Sequence, residues 1–352
     1  MVDNIIRKFD KYKVGILFSL FSFHQLFYIS KIGAWWDEPY DQLGAKLTLG
    51  KLNFIFFGTK SNQYRADFSD HELFGMFYQL QAFTFSKLNI FYGRFNLEPL
   101  GIRNEVHFTY FLRHIYLHFY TCLLLYIIYS LLRKIESDNF GFMYILFLIL
   151  IPSVNGYSLF DDKDIPFGLH LFISFLLYFY FIHNISHTNK RRLTALTGIA
   201  FGLLLLIRFN GVGFLILTVI SVNLINVKNI FNKKYIVDNL FVAIYAFLIF
   251  IFGTIQGSGN YLQFLKNLYW QQFKVATWFG ETLVNGESFE RSGDFTYIFK
   301  ILFYKFPPAY LLSICILIFF WRKTNNNSLF ISSVTFLSLF SIAFIVYKPA
   351  AY

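Results

Sequence analysis

The sequence predicts an all-α polytopic membrane protein with about nine transmembrane helices and two long non-cytoplasmic loops that carry interfacial helices. Three observations predict it. Hydrophobic residues make up 56% of the 352-residue chain and charged residues 14%, against roughly 25% charged in a soluble domain, and the mean hydropathy is +0.49. The apolar residues fall in runs near the roughly 20 residues that one crossing needs. The basic residues punctuate those runs on alternate sides.

The net charge of +11 therefore finds its counter-charge in anionic lipid headgroups and not in nucleic acid. The 49 Phe and 24 Tyr residues read as lipid-facing and interfacial filling, or as a mark of genome base composition. Cys122 and Cys315 both lie inside apolar runs, which argues for packing residues and against a disulfide framework.

The first candidate span, 14–33, follows Arg7, Lys8, Lys11 and Lys13 and precedes no small-residue cleavage pattern. It reads as an anchored helix with a cytoplasmic N-terminus, not a removed signal peptide. The remaining spans are 109–132, 141–160, 167–183, 194–208, 211–226, 239–256, 308–321 and 329–347. Threading that orientation forward puts Arg133 and Lys134, then Lys190, Arg191 and Arg192, then Lys228, Lys233 and Lys234, then Arg322 and Lys323 in short cytoplasmic loops, as the positive-inside rule requires. Of the 20 Asp and Glu residues, Asp3, Asp10, Glu136, Asp138 and Asp238 fall inside and the other 15 outside. Two long outer loops result, 34–108 and 257–307, and loops of that length in a compact protein are usually functional. No repeat or linker divides the chain, so 1–352 reads as one domain.

In the first loop, apolar residues at 73, 76, 77, 80 and 83 form a helical stripe interrupted by Gln79, Gln81, Thr84 and Ser86. An interfacial helix in the headgroup plane fits that pattern; a tenth span there would invert every later loop and spoil the charge bias. The second loop carries Trp278 to Glu287, whose Asn285-Gly286 is a turn signal. Its aromatic content suits a cap over a substrate, while its acids read as solvated turn residues.

Asp37 and Glu38, immediately after the first span, are acids at a bilayer edge, a functional-site pattern by default. Helix capping ahead of Pro39 accounts for them equally in type. Asp161-Asp162-Lys163-Asp164 lies on the same side, where Asp164 suits a cap for the helix near Pro166 and Lys163 a partner for its acidic neighbours. Arg113 and His114 open the second span on the outer side. An Arg there clamps phosphate through its forked donors or snorkels to the interface, and His114 is a ligand-side group or a packing residue. Arg208, between two apolar runs at the outer surface, has the same two readings. His107, His114 and Glu105 are neighbours in sequence without His-Glu-x-x-His spacing, and His71-Glu72 is a surface-type pair, so a divalent metal ion stays open.

Asp37-Glu38, Tyr110-Phe111-Leu112-Arg113-His114, Asp162-Lys163-Asp164-Ile165-Pro166-Phe167, Arg208-Phe209-Asn210-Gly211 and Pro307-Pro308 together resemble the GT-C superfamily. Within it the chain is similar to the bacterial protein O-mannosyltransferase and aminoarabinose transferase group. Order and spacing agree over nearly the whole chain; the Lys-Asp-Ile-Pro-Phe string is the specific part and Asp-Glu the weak one. The resemblance implies a membrane glycosyltransferase of the bacterial inner membrane. It would move a sugar from a polyprenyl-phosphate carrier to a hydroxyl of a protein, glycolipid or polysaccharide acceptor on the non-cytoplasmic face. The transfer is an inverting single displacement, for which one acceptor-side carboxylate suffices. By resemblance Asp37 is the base and Glu38 orients the acceptor, holds Asp37 or joins a metal site. Asp162, Lys163, Asp164, Arg113, His114 and Arg208 then bind donor phosphate and sugar. Some relatives use a divalent ion and others none. Relatives usually continue past the ninth span, so the end at Tyr352 implies a reduced member or a fragment. The rival classes are a lipid or sugar transporter or flippase, expected to show inverted repeats and broken helices, and a non-catalytic scaffold, which leaves both acidic clusters without a reason.

Overall fold

The computed structural model describes residues 2–32, 77–94, 97–159, 164–183, 190–208, 211–225, 233–253, 282–284, 287–289 and 333. Nine α-helices run through them: α1 Val2–Ile29, α2 Phe77–Ser86, α3 Glu105–Ile135, α4 Asp138–Leu150, α5 Pro152–Tyr157, α6 Asp164–His183, α7 Lys190–Ile207, α8 Gly211–Ile225 and α9 Lys233–Gly253. Two 3-10 segments, Lys87–Arg94 and Glu98–Leu100, join α2 to α3. One hairpin, β1 Thr282–Val284 and β2 Glu287–Phe289, pairs antiparallel. Its last pair, Val284 with Glu287, brackets the Asn285-Gly286 turn signal.

Among the described residues, three helices are long and apolar enough to cross a membrane: Glu105–Ile135, Ile165–His183 and Tyr235–Gly253. Asp138–Leu150 and Gly211–Leu224 are apolar but shorter. The protein is thus an α-helical membrane protein, and the expected spans at 308–321 and 329–347 lie outside the described residues apart from Ser333.

Polarity is inverted relative to a soluble fold. On α1 the outward stripe is Tyr12, Ile16, Leu20, Phe23 and Phe27, whereas the inward stripe contains Lys13 and Gln25, 5% and 0% exposed. α9 likewise turns Leu240, Phe241, Ile244, Phe247, Leu248 and Phe252 outward. Apolar groups face out and polar groups pair inside, the arrangement a lipid solvent favours. The main core lies where α3, α6 and α7 meet, around Leu125, Ile128, Leu176, Phe179, Phe181 and Leu204.

Neighbouring contacts fix helix directions. Lys13 bonds Asn139, four residues beyond the end of α3, while Ser22 reaches His118 within it, so α1 and α3 are antiparallel. The Ser174 hydroxyl donates to the Ala200 carbonyl and Phe167 packs on Phe214, which sets α6 against α7 and alongside α8. α7 and α9 run parallel along a seam of small residues. A Cβ on Gly198 would stand 2.4 Å from Tyr245 Cβ, and one on Gly202 2.5 Å from Ile249 Cβ, so only glycine permits that approach.

One expectation changes. The span at 141–160 is not continuous: α4 stops at Leu150 and α5 restarts at Pro152. Proline lacks the N–H for a helical bond and pushes Ile151 to φ −67°, ψ 120°. Gln25 closes the gap, its amide donating to the Asn155 carbonyl (3.1 Å) and to Asn155 Oδ1 (2.6 Å), while Asn155 Nδ2 reaches the Ile149 carbonyl at 3.3 Å. The interfacial helix expected in the first outer loop corresponds to α2, which packs on α3. Asn89 meets Glu105 and Thr109, Phe85 meets Tyr116, and Ala82 packs on Leu117. From Ala82 in α2 to Asn89 in the following 3-10 segment the partner numbers fall from 117 to 105, so this stretch as a whole runs antiparallel to α3. Its buried residues, Ala82, Phe83 and Ser86, face protein.

The opposite end of the bundle is clamped. Lys13 Nζ sits 2.8 Å from Asp138 Oδ2 and donates to Asn139 Oδ1 at 2.6 Å. Tyr129 donates to Asp138 and Arg133 Nε stands 3.4 Å away. The hydrogen bond from Lys13, then that from Tyr129, holds the Asp138 carboxyl below the usual carboxylate range. Lys190 pairs with Asp238 between α7 and α9.

Candidate functional site

Those helix directions bring the C-termini of α1 and α7 and the N-termini of α3, α6 and α8 to one end. A cavity of about 640 Å³ opens there, lined by Leu26, Phe27, Ser30 and Lys31 from the exit of α1 and by Pro99, Leu100, Gly101, Arg103 and His107 from the approach to α3.

Local sequence builds its rim. Pro99 enters the 3-10 turn Glu98–Leu100, and Gly101 ends it at φ +79°, ψ 8°, a left-handed position that suits glycine. The Gly101 N–H donates to the Glu98 carbonyl at 2.8 Å and that of Ile102 to Leu97 at 3.2 Å, with Ile102 fully buried. Asn104 then caps α3 by accepting from the His107 N–H at 2.8 Å. His107 is thereby placed on the first turn with its ring at the cavity. Lys31 Nζ lies 4.3 Å from the Phe27 ring centroid and 5.4 Å from that of Tyr28, a cation–π seat at the end of α1. The walls are apolar and the polar lining is basic, a combination that accommodates an anionic amphiphile.

The residues expected from sequence distribute unevenly. Asp37, Glu38, Asp162 and Lys163 lie outside the described residues. Asp37 follows Lys31 by six positions. Asp164 is the first residue of α6, at the cavity end of the bundle. Arg208 ends α7 half-buried, its N–H donating to the Leu204 carbonyl at 3.1 Å, and its own carbonyl accepts from Gly211 at 2.9 Å. That tight turn abuts the start of α6: a Cβ on Gly211 would meet Leu204 Cγ at 3.2 Å and Phe167 Cε2 at 3.4 Å. The structure therefore brings Asp164 and Arg208 to adjoining helix ends.

Arg113 and His114 do not open α3. The helix starts eight residues earlier at Glu105, so Arg113 lies about 12 Å along it. They are 2% and 1% exposed and both are engaged by neighbours, which removes the snorkelling reading for Arg113. Glu105 and His107 also part company, since Asn89 Nδ2 donates to Glu105 Oε1 at 3.1 Å while His107 faces the cavity. Among the described residues no three His, Cys, Asp or Glu side chains converge on a metal-sized site.

Sequence reasoning missed Lys31 and Arg103. No sequence signal sets them apart, since Lys31 falls within the expected first span and the loop that holds Arg103 also carries Lys46, Lys51, Lys60, Arg65, Lys87 and Arg94.

A second polar group lies deeper between α1 and α3. His118 Nε2 is 2.9 Å from Ser22 Oγ and 3.6 Å from Cys122 Sγ. Tyr120 and His170 bond at 2.6 Å between α3 and α6. Compared with protein-family models, curated proteins and solved structures, the chain matches none.

Proposed function

We propose that the protein is a nine-span glycosyltransferase of the GT-C type that moves a sugar from a polyprenyl-phosphate carrier to an acceptor hydroxyl on the non-cytoplasmic face of a bacterial inner membrane. The observation that carries this reading is the basic, apolar-walled cavity at the exit of α1. It stands at the bundle end that holds Asp164 and Arg208, and Asp37-Glu38 follow its Lys31 by six and seven positions in the sequence. In this reading the N-terminus and the Lys13–Asp138 clamp are cytoplasmic, and the cavity is extracytoplasmic.

The chemistry follows from the residue types. Asp37 takes the acceptor proton as the acceptor oxygen attacks the anomeric carbon, and the carbon–oxygen bond to the carrier phosphate breaks with its electron pair on the phosphate. Glu38 orients the acceptor. Lys163 and Arg208 offset the charge that develops on the phosphate, with Asp162 and Asp164 shaping the sugar pocket. Arg113 and His114, buried within α3, are the further donor-phosphate candidates. The test is release of polyprenyl phosphate by purified protein given a panel of polyprenyl-phosphate sugars, beside Asp37→Asn. Release that depends on Asp37 supports the assignment, whereas equal release by the variant refutes Asp37 as base.

A second reading has one observation in its favour. The break between α4 and α5, closed by the fully buried Gln25, is the kind of discontinuous helix found around transported substrates. A polytopic transporter or flippase for lipid-linked sugar predicts vesicle-to-vesicle translocation without bond cleavage.

A further inference from the structure

We propose that His118, Cys122 and Ser22 form an intramembrane site for a monovalent soft metal ion, Cu(I) or Ag(I), between α1 and α3. The site is independent of the transferase reading.

The first argument is geometry. His118 and Cys122 stand four positions apart on α3, one above the other on a single helix face. His118 Nε2 and Cys122 Sγ are 3.6 Å apart. Bonds of about 2.0 Å to an imidazole nitrogen and about 2.3 Å to a thiolate sulfur place two donors to one ion about 3.5–3.7 Å apart, at angles from tetrahedral to trigonal. The two strong ligands thus already hold the separation that a shared ion requires. Ser22 of α1 brings a third, neutral donor, its Oγ 2.9 Å from Nε2 and 4.0 Å from Sγ. The His118 ring is fully buried and packs against Phe21 and Phe119, with ring centroids 5.2 Å and 5.6 Å away, so packing sets its aim toward the thiol.

The second argument is charge. A cation inside a bilayer is costly unless the site cancels its charge. Cys122 is a free thiol, half-buried. When a monovalent ion binds, the S–H bond breaks, a sulfur–metal bond forms and the proton leaves to solvent. A neutral thiol site becomes a neutral thiolate–metal–imidazole site. With these three side chains a divalent ion such as Zn²⁺ keeps one positive charge uncancelled, against the apolar cluster of Phe21, Leu124 and Leu125 on which Cys122 packs. Coordination number points the same way. Zinc takes four ligands in its structural sites, whereas soft thiolate ligation selects Cu(I), an ion that two or three donors satisfy.

The test uses the full chain in nanodiscs of neutral lipid, with Cys315→Ser so that a single thiol remains, titrated anaerobically with Cu(I) held by the chelator bicinchoninate. One ion per chain is expected, with release of one proton, and an X-ray absorption spectrum that shows one sulfur and the multiple scattering of an imidazole. Cys122→Ser abolishes binding, and Ser22→Ala weakens it less than His118→Gln does. His118→Gln weakens it by at least about tenfold, the scale on which even outer-shell partners of a metal act. Zn²⁺ at equal concentration does not displace Cu(I). Absence of binding, a spectrum without imidazole, binding that survives Cys122→Ser, or displacement by Zn²⁺ overturns the proposal. Stoichiometry, spectrum and Zn²⁺ competition are read with all three ligands intact, so they decide the matter even where a variant fails to fold.

Discussion

Gly202→Ala separates packing from propensity on the seam between α7 and α9. In a helix interior alanine gains about 1 kcal/mol over glycine. Here the new Cβ would meet Ile249 Cβ at 2.5 Å, Ile249 Cγ2 at 2.7 Å and the Ala246 carbonyl at 2.8 Å. Carbon contacts settle near 3.5–4.0 Å, so the helices must part by about 1 Å. A backbone carbonyl cannot rotate away as a side chain does. Overpacking of this kind costs about 1–3 kcal/mol or more, and the upper part of that range outweighs the propensity gain, leaving a net loss of about 1–2 kcal/mol. Gly198→Ala faces the same obstruction, at 2.4 Å from Tyr245 Cβ and 2.8 Å from the Val242 carbonyl. Among the described residues, Gly168 on α6 and Gly213 on α8 have nothing within 4 Å of a built Cβ, so alanine there keeps the gain. Reversible unfolding of the purified protein in mixed detergent, followed by circular dichroism, reads all four. Gly202→Ala at least as stable as Gly168→Ala would refute the close seam.

Gln25→Leu removes both donors that close the α4–α5 break and is expected to cost about 1–2 kcal/mol; it should also speed amide exchange across 155–159, and unchanged exchange there argues against the bridge. Asp138 has its carboxyl lowered from 3.8 by Lys13 and Tyr129. It contributes stability that is complete above that ordinary value and lost as pH falls through the lower folded one. The group is 40% exposed, so the effect is screened and small, and Asp138→Asn should flatten the acid limb of a stability–pH curve, which a structural role without charge would leave in place. Lys163→Ala is expected to raise the apparent donor KM at least about tenfold through loss of a phosphate contact, and an unchanged KM removes Lys163 from the donor site.

The amphipathic and charge patterns carried the helices further than they carried the site. Periodicity and alternate-side cations located α1, α3, α6, α7, α8 and α9, because long apolar runs have few other solutions in lipid. The break at Pro152 was legible in principle, but the run around it is apolar enough to hide a single missing N–H. The axis of α2 was not legible, since a stripe of apolar residues does not say whether protein or lipid covers it. Arg113 illustrates the same limit: its distance from the helix start was set by the Asn104 cap, five residues outside the apolar run that defined the expected span.

The two functional readings ask different things of the same buried Gln25. In a transferase the bonds to Asn155 serve to hold α5, and so the chain leading into Asp164, at a fixed height beside the cavity end. In a transporter the same bonds must break and re-form as the half-helix moves. A fixed strut and a moving gate respond oppositely to tightening. A short bifunctional thiol crosslink between cysteines placed at Gln25 and Asn155, formed in a background where Cys122 and Cys315 are replaced by alanine, should preserve transfer in the first case and arrest translocation in the second. The two side chains meet at their tips, so a crosslink with a short spacer replaces them at that separation, and loss of all transfer on crosslinking would favour the moving gate.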